Sequence, residues 1–230
     1  MKSYTIFPFL IQSTFWWVVV KPLTVLFAGL KVYGFEHIQS LKAPVILAPN
    51  HSNAFDSVLL PLAFPLWSRF SSLFYVVRSG KYYTSWRKFV FSFFNLEHIG
   101  AYAVEHNQKN YAVALRRHKE IIEDGRTVCI FPEGGITRDG LIRSAHGGVV
   151  YLAQTTQKPV VPVLISGTYK LSPWKFFTRQ ARISVEFFPP IYFKESDYHN
   201  DSIVAEQYRS NAERVLNVLR SAKQEPLVSI

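Results

Sequence analysis

A histidine and an aspartate stand five positions apart, where a buried strand is predicted to give way to a helix. The segment reads Asn50-His51-Ser52-Asn53-Ala54-Phe55-Asp56 and follows the apolar run 44–49. In open α/β sheets the ligand crevice lies beyond the carboxyl ends of the strands, where this pair is expected. A neutral imidazole there can accept a hydroxyl proton, while a carboxylate on its other nitrogen fixes the tautomer and stabilises the imidazolium. This pattern predicts a catalytic pair of His51 and Asp56; the alternative is a loop histidine beside a helix-capping aspartate.

A second polar segment, Phe131-Pro132-Glu133-Gly134-Gly135-Ile136-Thr137-Arg138, also follows a predicted strand directly. Its two glycines allow the backbone to approach a ligand closely, and an arginine offers planar donors that suit a phosphate. Glu133 supplies a carboxylate at the strand end. The segment therefore predicts a site for a phosphorylated polar head, and the alternative is a glycine turn with a solvated arginine.

Motifs of other enzyme classes are missing from the sequence. It contains no Gly-x-Ser-x-Gly elbow, no phosphate-binding Gly-x4-Gly-Lys-Ser/Thr loop and no Gly-x-Gly-x-x-Gly fingerprint. A histidine and aspartate pair without its own serine must activate a hydroxyl that the substrate brings. The expected reaction is therefore transfer to a hydroxyl acceptor.

The elements around these segments alternate short β-rich runs with longer helical patterns, which is typical of an α/β domain with a mostly parallel central sheet. Strands are predicted at 44–49, 73–77, 127–131, 160–166 and 183–188. Helices are predicted at 54–66, with Asn53 as its cap, and at 108–123, 147–157 and 203–223. We expect two units, an apolar segment at 1–31 and an α/β domain at 32–230.

The first segment has no charged residue from position 4 to position 20, close to the shortest length that crosses a bilayer. Trp16 and Trp17 beside Lys21 are residue types that settle at a membrane interface. We expect one or two helices embedded in one leaflet. A spanning helix, a cleaved signal peptide and a buried core helix are the alternatives.

The chain is apolar and basic, with 48% hydrophobic residues and a net charge of +10. Such a charge favours anionic partners but does not choose among nucleic acid, lipid headgroups and phosphorylated substrates. Aromatic residues alternate with basic ones at 81–89 and 174–179. Beside an apolar N-terminal segment, these stretches favour an anionic membrane over nucleic acid, so a nucleic-acid partner is not expected.

The single cysteine, Cys129, excludes an internal disulfide, and no Cys/His cluster has zinc-ligand spacing. Because Cys129 lies within the apolar run 127–131, we expect it to be buried and not catalytic. The expected compartment is reducing, and no metal is expected.

The two polar segments together resemble the glycerolipid acyltransferase family that includes the lysophosphatidic acid acyltransferases. The His-x4-Asp block of that family is similar to residues 50–56, and its Phe-Pro-Glu-Gly block is similar to residues 131–134. A late Val-Pro strand and a Gly-x-Glu lead-in also match Val160-Val161-Pro162-Val163 and Tyr33-Gly34-Phe35-Glu36. The order and spacing agree from about residue 32 to residue 168.

The resemblance implies a glycerol-3-phosphate acyltransferase-like fold and an O-acyltransferase of phospholipid biosynthesis or remodelling. His51 would be the general base and Asp56 the residue that orients it, with backbone amides near Gly134 and Gly135 as candidate oxyanion donors. The substrate-binding residues implied are Asn50, Glu133, Gly134, Gly135, Thr137 and Arg138.

The implied substrates are an acyl thioester, either acyl-CoA or an acyl carrier protein, and a lysophospholipid, first of all 1-acylglycerol-3-phosphate. No cofactor is implied. A family Gly-rich stretch that ends in arginine corresponds here to residues 94–102, which contain no arginine, so other lysophospholipids stay open as acceptors. The expected location is a membrane with the site on its cytoplasmic side. A catalytically silent lipid-binding scaffold of the same fold is the alternative.

Overall fold

The computed structural model describes residues 6–42, 44–77, 96–104, 110–194 and 201–224. Its strands are β1 (Lys31–Tyr33), β2 (Ile46–Pro49), β3 (Phe74–Val77), β4 (Ala101–Ala103), β5 (Val128–Cys129), β6 (Val160–Ser166) and β7 (Ser184–Phe187). Its helices are α1 (Ile6–Ala28), α2 (Glu36–Gln39), α3 (Asp56–Leu62), α4 (Tyr111–Ala114), α5 (Arg116–Glu123), α6 (Gly148–Thr156), α7 (Pro173–Phe177) and α8 (Asp201–Gln224), with one 3₁₀ turn at Leu96–Ile99.

The seven strands form one sheet in the order β1-β7-β6-β2-β5-β3-β4. Every neighbouring pair is parallel except β6 and β7, which are antiparallel. The predicted α/β class with a mostly parallel sheet is confirmed. Since β2 and β5 pair directly, through Ile46 with Val128 and Leu47 with Cys129, the segments that follow them must meet at one edge of the sheet.

The sheet separates two apolar layers, because successive strand residues point to opposite faces. In β2, Leu47 belongs to the layer under α1 and α3, whereas Ile46 and Ala48 belong to the layer under α5, α6 and α8. Both layers are fully buried at these positions. The central strands are therefore held from both sides, which gives the ends of β2 and β5 a rigid support.

The N-terminal segment is one continuous helix, α1, in which the stretch Ile11–Val20 has wider i→i+5 hydrogen bonding. A stripe along it is buried against the domain at Pro8, Gln12, Trp16, Thr24 and Ala28. The Gln12 side-chain amide anchors this stripe, since it donates to the Leu73 and Ile99 carbonyls and accepts from the Leu73 N–H at 2.9 Å.

Much of the rest of α1 is apolar and exposed. The exposed positions are Ile6, Phe7, Leu10, Phe15, Val18, Val19, Leu23, Val25 and Leu26. In length and composition this 23-residue helix could cross a bilayer, a property that core helices and signal sequences share. Only 17% of its most apolar window is buried, however, so the buried-core interpretation does not describe how the helix lies.

Several element boundaries differ from the predictions. The helix predicted at 54–66 covers only Asp56–Leu62. It begins late because the Asn53 side chain accepts from the Phe55 N–H and holds a turn ahead of the helix. The helix predicted at 108–123 divides at Leu115, where the backbone (φ −110°, ψ 10°) leaves helical geometry. Residues 108 and 109 of that predicted helix, and the aromatic-basic stretch 81–89, lie outside the described residues.

Candidate active site

The pair His51 and Asp56 meets where β2 passes through a turn into α3. The His51 Nδ1 lies 3.1 Å from the Asp56 Oδ2. Because the turn returns the first residue of α3 toward the strand end, the five-residue spacing brings imidazole and carboxylate into contact. A carboxylate at Nδ1 favours the tautomer with the proton on Nδ1, which leaves the Nε2 lone pair to accept a proton.

The Asp56 carboxylate is fully buried and firmly held. Its Oδ2 also accepts from the backbone N–H groups of Ser52, at 2.6 Å, and Asn53, at 2.8 Å. Two main-chain donors and an imidazole satisfy this oxygen and fix the carboxylate in one position. Asp56 therefore orients the imidazole and would stabilise its positive charge, without reaching a substrate itself.

The imidazole of His51 lies against the ring of Phe131, the residue before Pro132 in the second polar segment. The two rings stack at 3.9 Å between centroids with 21° between their planes. The His51 side chain retains about 15% exposure. The base is thus held on one face by an aromatic ring and at Nδ1 by a carboxylate, while it stays accessible to an incoming group.

Glu133 ties the two polar segments together through their backbones. One carboxylate oxygen accepts from the His51 N–H and the other from the Arg143 N–H, each at 2.9 Å. Burial raises the pKa of Glu133, and the two N–H donors and the nearby His51 oppose that rise. These contacts hold the backbone at His51, and the substrate-binding role predicted for Glu133 stays a prediction.

Asn50 and Thr137 are also placed in supporting positions. The buried amide of Asn50 accepts from the Ile165 N–H at 2.7 Å and donates to the Ile165 carbonyl at 3.0 Å, which joins the ends of β2 and β6. The backbone N–H of Thr137 donates to the His51 carbonyl at 2.9 Å, and its buried hydroxyl donates to Asp139. Both side chains are buried in this structure, and the substrate-binding role predicted for them stays a prediction.

Gly134 and Gly135 differ in the space around them and in the hydrogen bonding of their amides. Gly134 has φ +66°, and a Cβ there would lie 2.6 Å from the Cδ2 of His146, so a side chain would be both strained and crowded. Its N–H donates to the Phe131 carbonyl at 3.0 Å and is therefore occupied. A Cβ on Gly135 would meet nothing within 4 Å. Of the two predicted oxyanion donors, only the Gly135 amide remains a candidate.

Arg138 is the exposed cation of the second polar segment. Its carbonyl accepts from the Tyr169 hydroxyl at 3.0 Å, which fixes its backbone. Its guanidinium makes no hydrogen bond or ion pair with residues in the described ranges. Arg138 is thus a positioned, unneutralised charge on the loop that carries Thr137 against His51.

The C-terminal helix α8 holds this same loop, a role that the sequence patterns did not indicate. The Arg220 guanidinium donates to the Ile142 and Arg143 carbonyls at 3.3 and 2.6 Å, and Lys223 donates to the Gly140 carbonyl. Glu213 accepts from the Ala145 N–H at 2.6 Å and from Arg220 at 2.8 Å. Glu213, Arg220 and Lys223 lie seven and three residues apart and so share one helical face. This spacing of charged residues is the sequence pattern that could have predicted their common role.

Cys129 lies in β5 with no exposure, and burial raises the pKa of its thiol. A buried thiol with a raised pKa holds little thiolate and cannot reach a substrate. The prediction that Cys129 is buried is confirmed, and the nucleophile must come from elsewhere.

The described site provides an oriented imidazole, a buried carboxylate behind it, the Gly135 amide and an exposed arginine. No side chain of the described site is arranged as a nucleophile activated by His51. The geometry can therefore remove a proton from a hydroxyl that enters from outside and place an anionic group near Arg138.

Known proteins are similar to this chain in sequence. The chain is 27% identical over 169 residues to a 1-acyl-sn-glycerol-3-phosphate acyltransferase of Limnanthes douglasii, covering 70% of this chain and 54% of that protein. A chloroplastic enzyme of the same name from Brassica napus is 23% identical over 171 residues, covering 72% and 46%. The chain therefore spans about half the length of the curated relatives it matches.

A solved structure has the same fold. The crystal structure of the 1-acyl-sn-glycerophosphate (LPA) acyltransferase PlsC from Thermotoga maritima aligns with a TM-score of 0.57 and 20% identity, over 92% of this chain and 80% of that one. The sequence profile of the family described as Acyltransferase matches residues 29–166, which include both polar segments. The resemblance stated from the two motifs is thereby confirmed, and this chain belongs to the acyltransferase family.

Proposed function

We propose that this chain transfers a fatty acyl group from an acyl thioester to a hydroxyl of a lysophospholipid, with 1-acylglycerol-3-phosphate as the first candidate acceptor. The observation that carries the proposal is the 3.1 Å contact between the His51 Nδ1 and Asp56, in a site with no nucleophile of its own among the described residues. Relatives named for transfer to this acceptor support the choice of substrate.

In the proposed reaction, the Nε2 of His51 accepts the acceptor hydroxyl proton as the oxygen attacks the thioester carbonyl. The buried Asp56 stabilises the imidazolium that forms. The Gly135 amide is the candidate donor to the tetrahedral oxyanion. When the carbon–sulfur bond breaks, the imidazolium returns its proton to the departing thiolate, which releases the thiol and leaves the acyl group as an ester.

For the acceptor, Arg138 is the residue we assign to a phosphate. It is exposed, fixed through its backbone by Tyr169 and unneutralised within the described part of the chain. A guanidinium binds phosphate through paired donors and so favours lysophosphatidic acid over a neutral lysolipid. For the donor, acyl-CoA and acyl carrier protein both carry negative charge that suits the +10 chain.

For the location, we propose that α1 holds the protein on a membrane with the site facing the cytoplasmic compartment or its organellar equivalent. The exposed apolar side of α1 supports this assignment. A reaction that joins a lipid acceptor to a polar thioester requires access to both the bilayer surface and water.

The test is product identification with purified protein in lipid nanodiscs. Acyl-CoA and acyl carrier protein are each offered with lysophosphatidic acid, lysophosphatidylcholine or lysophosphatidylglycerol, and products are separated by mass spectrometry. The proposal predicts phosphatidic acid as the main product with at least one donor. Retained lysolipid binding with no product from any pair would reject it in favour of a lipid-binding scaffold.

A further inference from the structure

A second apolar element stands on the surface beside the N-terminal helix. The short helix α7 begins after Ser172, whose hydroxyl accepts from the Lys175 N–H at 3.3 Å, and exposes two large aromatic side chains. Trp174 is 73% exposed and Phe177 is 59% exposed. Large aromatic side chains placed together in water mark a surface that meets another apolar phase.

The α7 helix is continuous with the outward face of α1. The ring of Phe27, near the end of α1, lies 6.0 Å from Phe176 and 5.3 Å from Phe177 between centroids. The Arg179 guanidinium lies over the same Phe27 ring at 5.7 Å. These contacts join the two elements into one apolar surface with cations at its border.

The charged residues of the two segments that form this surface are all basic. Residues 167–185 contain Lys170, Lys175, Arg179 and Arg182, all exposed, and no aspartate or glutamate. Residues 6–35, which include α1, likewise contain lysines but no acidic residue. An apolar surface whose own segments carry only basic charges complements a bilayer with anionic headgroups, because basic side chains near such a surface add to the apolar attraction.

The surface also reaches the catalytic segment. Phe176 contacts Phe55 at 6.2 Å between centroids, and Phe55 directly precedes Asp56. The Asn53 side chain donates to the Thr168 carbonyl at 3.2 Å, which fixes the loop before α7 to the turn that carries His51. A bilayer bound at α7 would therefore lie beside the active site.

We propose that α7 is a second membrane-docking element, which inserts Trp174 and Phe177 into an anionic bilayer and places Lys175 and Arg179 against the headgroups. The proposal extends the membrane association proposed for α1. It concerns binding alone, so it stands or fails independently of acyl transfer.

The experiment measures binding of the full chain to vesicles without donor or acceptor. A Trp174→Ala/Phe177→Ala variant and a Lys175→Gln/Arg179→Gln variant are compared with wild type on phosphatidylcholine vesicles, with and without phosphatidylglycerol. Tyr192→Ala is the matched control, because Tyr192 is 66% exposed but follows β7 at the opposite end of the sheet. Thermal melting verifies that each variant is folded.

The aromatic variant should bind both kinds of vesicle about tenfold more weakly, since two apolar side chains no longer enter the bilayer. The charge variant should lose affinity by about tenfold on anionic vesicles only. Binding by both variants at wild-type strength would overturn the proposal, as would capture of single-stranded RNA by this surface without any vesicle binding.

A second measurement uses the conservative Trp174→Phe variant and lipids with brominated chains, which quench tryptophan fluorescence on contact. Wild type should lose more fluorescence than the variant when it binds these vesicles. Equal quenching in the two proteins would show that Trp174 stays in water and would contradict the docking of α7.

Discussion

At the scale of single residues, the site depends on how the Oδ2 atom of Asp56 is held. One carboxylate oxygen accepts from two main-chain N–H groups and from His51, and the residue has no exposure. Its hydrogen bonds with the turn would survive replacement by a neutral amide of the same shape. Such a replacement would therefore remove mainly the negative charge that stabilises a protonated His51.

Asp56→Asn should therefore leave the protein folded and lower kcat by about two to four orders of magnitude, since a neutral amide cannot stabilise the imidazolium. The measurement is thiol release at saturating acceptor, beside a melting curve. A variant that keeps more than a third of wild-type kcat would show that the charge of Asp56 is not used.

Gly134 provides a second residue-scale prediction. Gly134→Ala should destabilise the fold by about 1–2 kcal/mol through its positive φ. It should also lower activity, because the new Cβ would crowd His146 and shift the neighbouring Glu133, which accepts from the His51 N–H.

The matched control is Gly125→Ala, where φ is +81° and a Cβ would meet nothing within 4 Å. It should lose comparable stability and keep its turnover. Equal activity losses in the two variants would mean that backbone strain, and not the crowding beside the site, accounts for the effect at Gly134.

At the scale of elements, α8 acts as a support for the loop from Gly140 to Ala145. Gly147 permits this packing, because a Cβ there would lie 2.4 Å from the Tyr208 Cβ of α8. Arg220, Lys223 and Glu213 then form hydrogen bonds with backbone groups of the loop. The position of Arg138 thus depends on a helix far along the chain.

Arg220→Ala should destabilise the protein by about 1.5–3 kcal/mol, since a charged donor is withdrawn from two carbonyls and from Glu213. It should also raise KM for a phosphorylated acceptor about tenfold while kcat falls less, because the loop carrying Arg138 is loosened. Kinetics at varied acceptor concentration separate the two parameters.

The control on the same helix is Arg214→Ala. Arg214 is exposed, bonds to Asn211 within α8 and lies over Phe193. It should leave the acceptor KM near wild type. If both variants raise KM equally, the support by Arg220 is not specific.

The sequence predicted elements best where the apolar pattern is long and bounded. The strand predicted at 160–166 has the same first and last residues as β6, and the helix predicted at 147–157 includes all of α6. Three-residue strands such as β1 and β4 have too few residues for an alternation to be recognised. The strand order and the reversed direction of β7 depend on pairings between distant segments, which periodicity does not encode.

In the site, too, local patterns could be predicted from the sequence and contacts between distant segments could not. The positions of His51 and Asp56 followed from a strand end, because parallel strands bring their carboxyl ends to one edge. The contacts of Asn50, Glu133 and Thr137 could not be predicted, because their partners are backbone groups of other segments.

At the scale of the whole molecule, one buried histidine links stability to pH. His118 has no exposure, and its Nε2 donates to the Tyr102 carbonyl at 3.2 Å. Burial lowers the pKa of His118 from 6.5 to about 4, although its hydrogen bonds to backbone carbonyls oppose the shift. Between these values the unfolded chain binds a proton that the folded chain does not.

The contribution of His118 to stability is therefore complete above pH 6.5 and is lost as the pH falls through about 4. This loss corresponds to roughly 3 kcal/mol. Wild type and His118→Gln are unfolded chemically at pH 7 and at pH 4. The free energy of unfolding should fall between the two pH values by roughly 3 kcal/mol more in wild type than in the variant. A difference between the two proteins that stays constant with pH would contradict the assignment.

The whole chain combines an apolar helix pinned by Gln12, a basic surface and a site at the edge of a parallel sheet. These features were visible separately in the sequence as an uncharged run, a net charge and two motifs. Their relative placement depends on tertiary contacts such as those of Phe27 with α7 and of Gln12 with Leu73.

The most direct test of the central claim is thiol release from acyl-CoA and from acyl carrier protein with and without lysophosphatidic acid, by wild type and by His51→Ala. We expect release that depends on the acceptor in wild type and falls by at least about three orders of magnitude in the variant. Equal release from both proteins would contradict His51 as the general base.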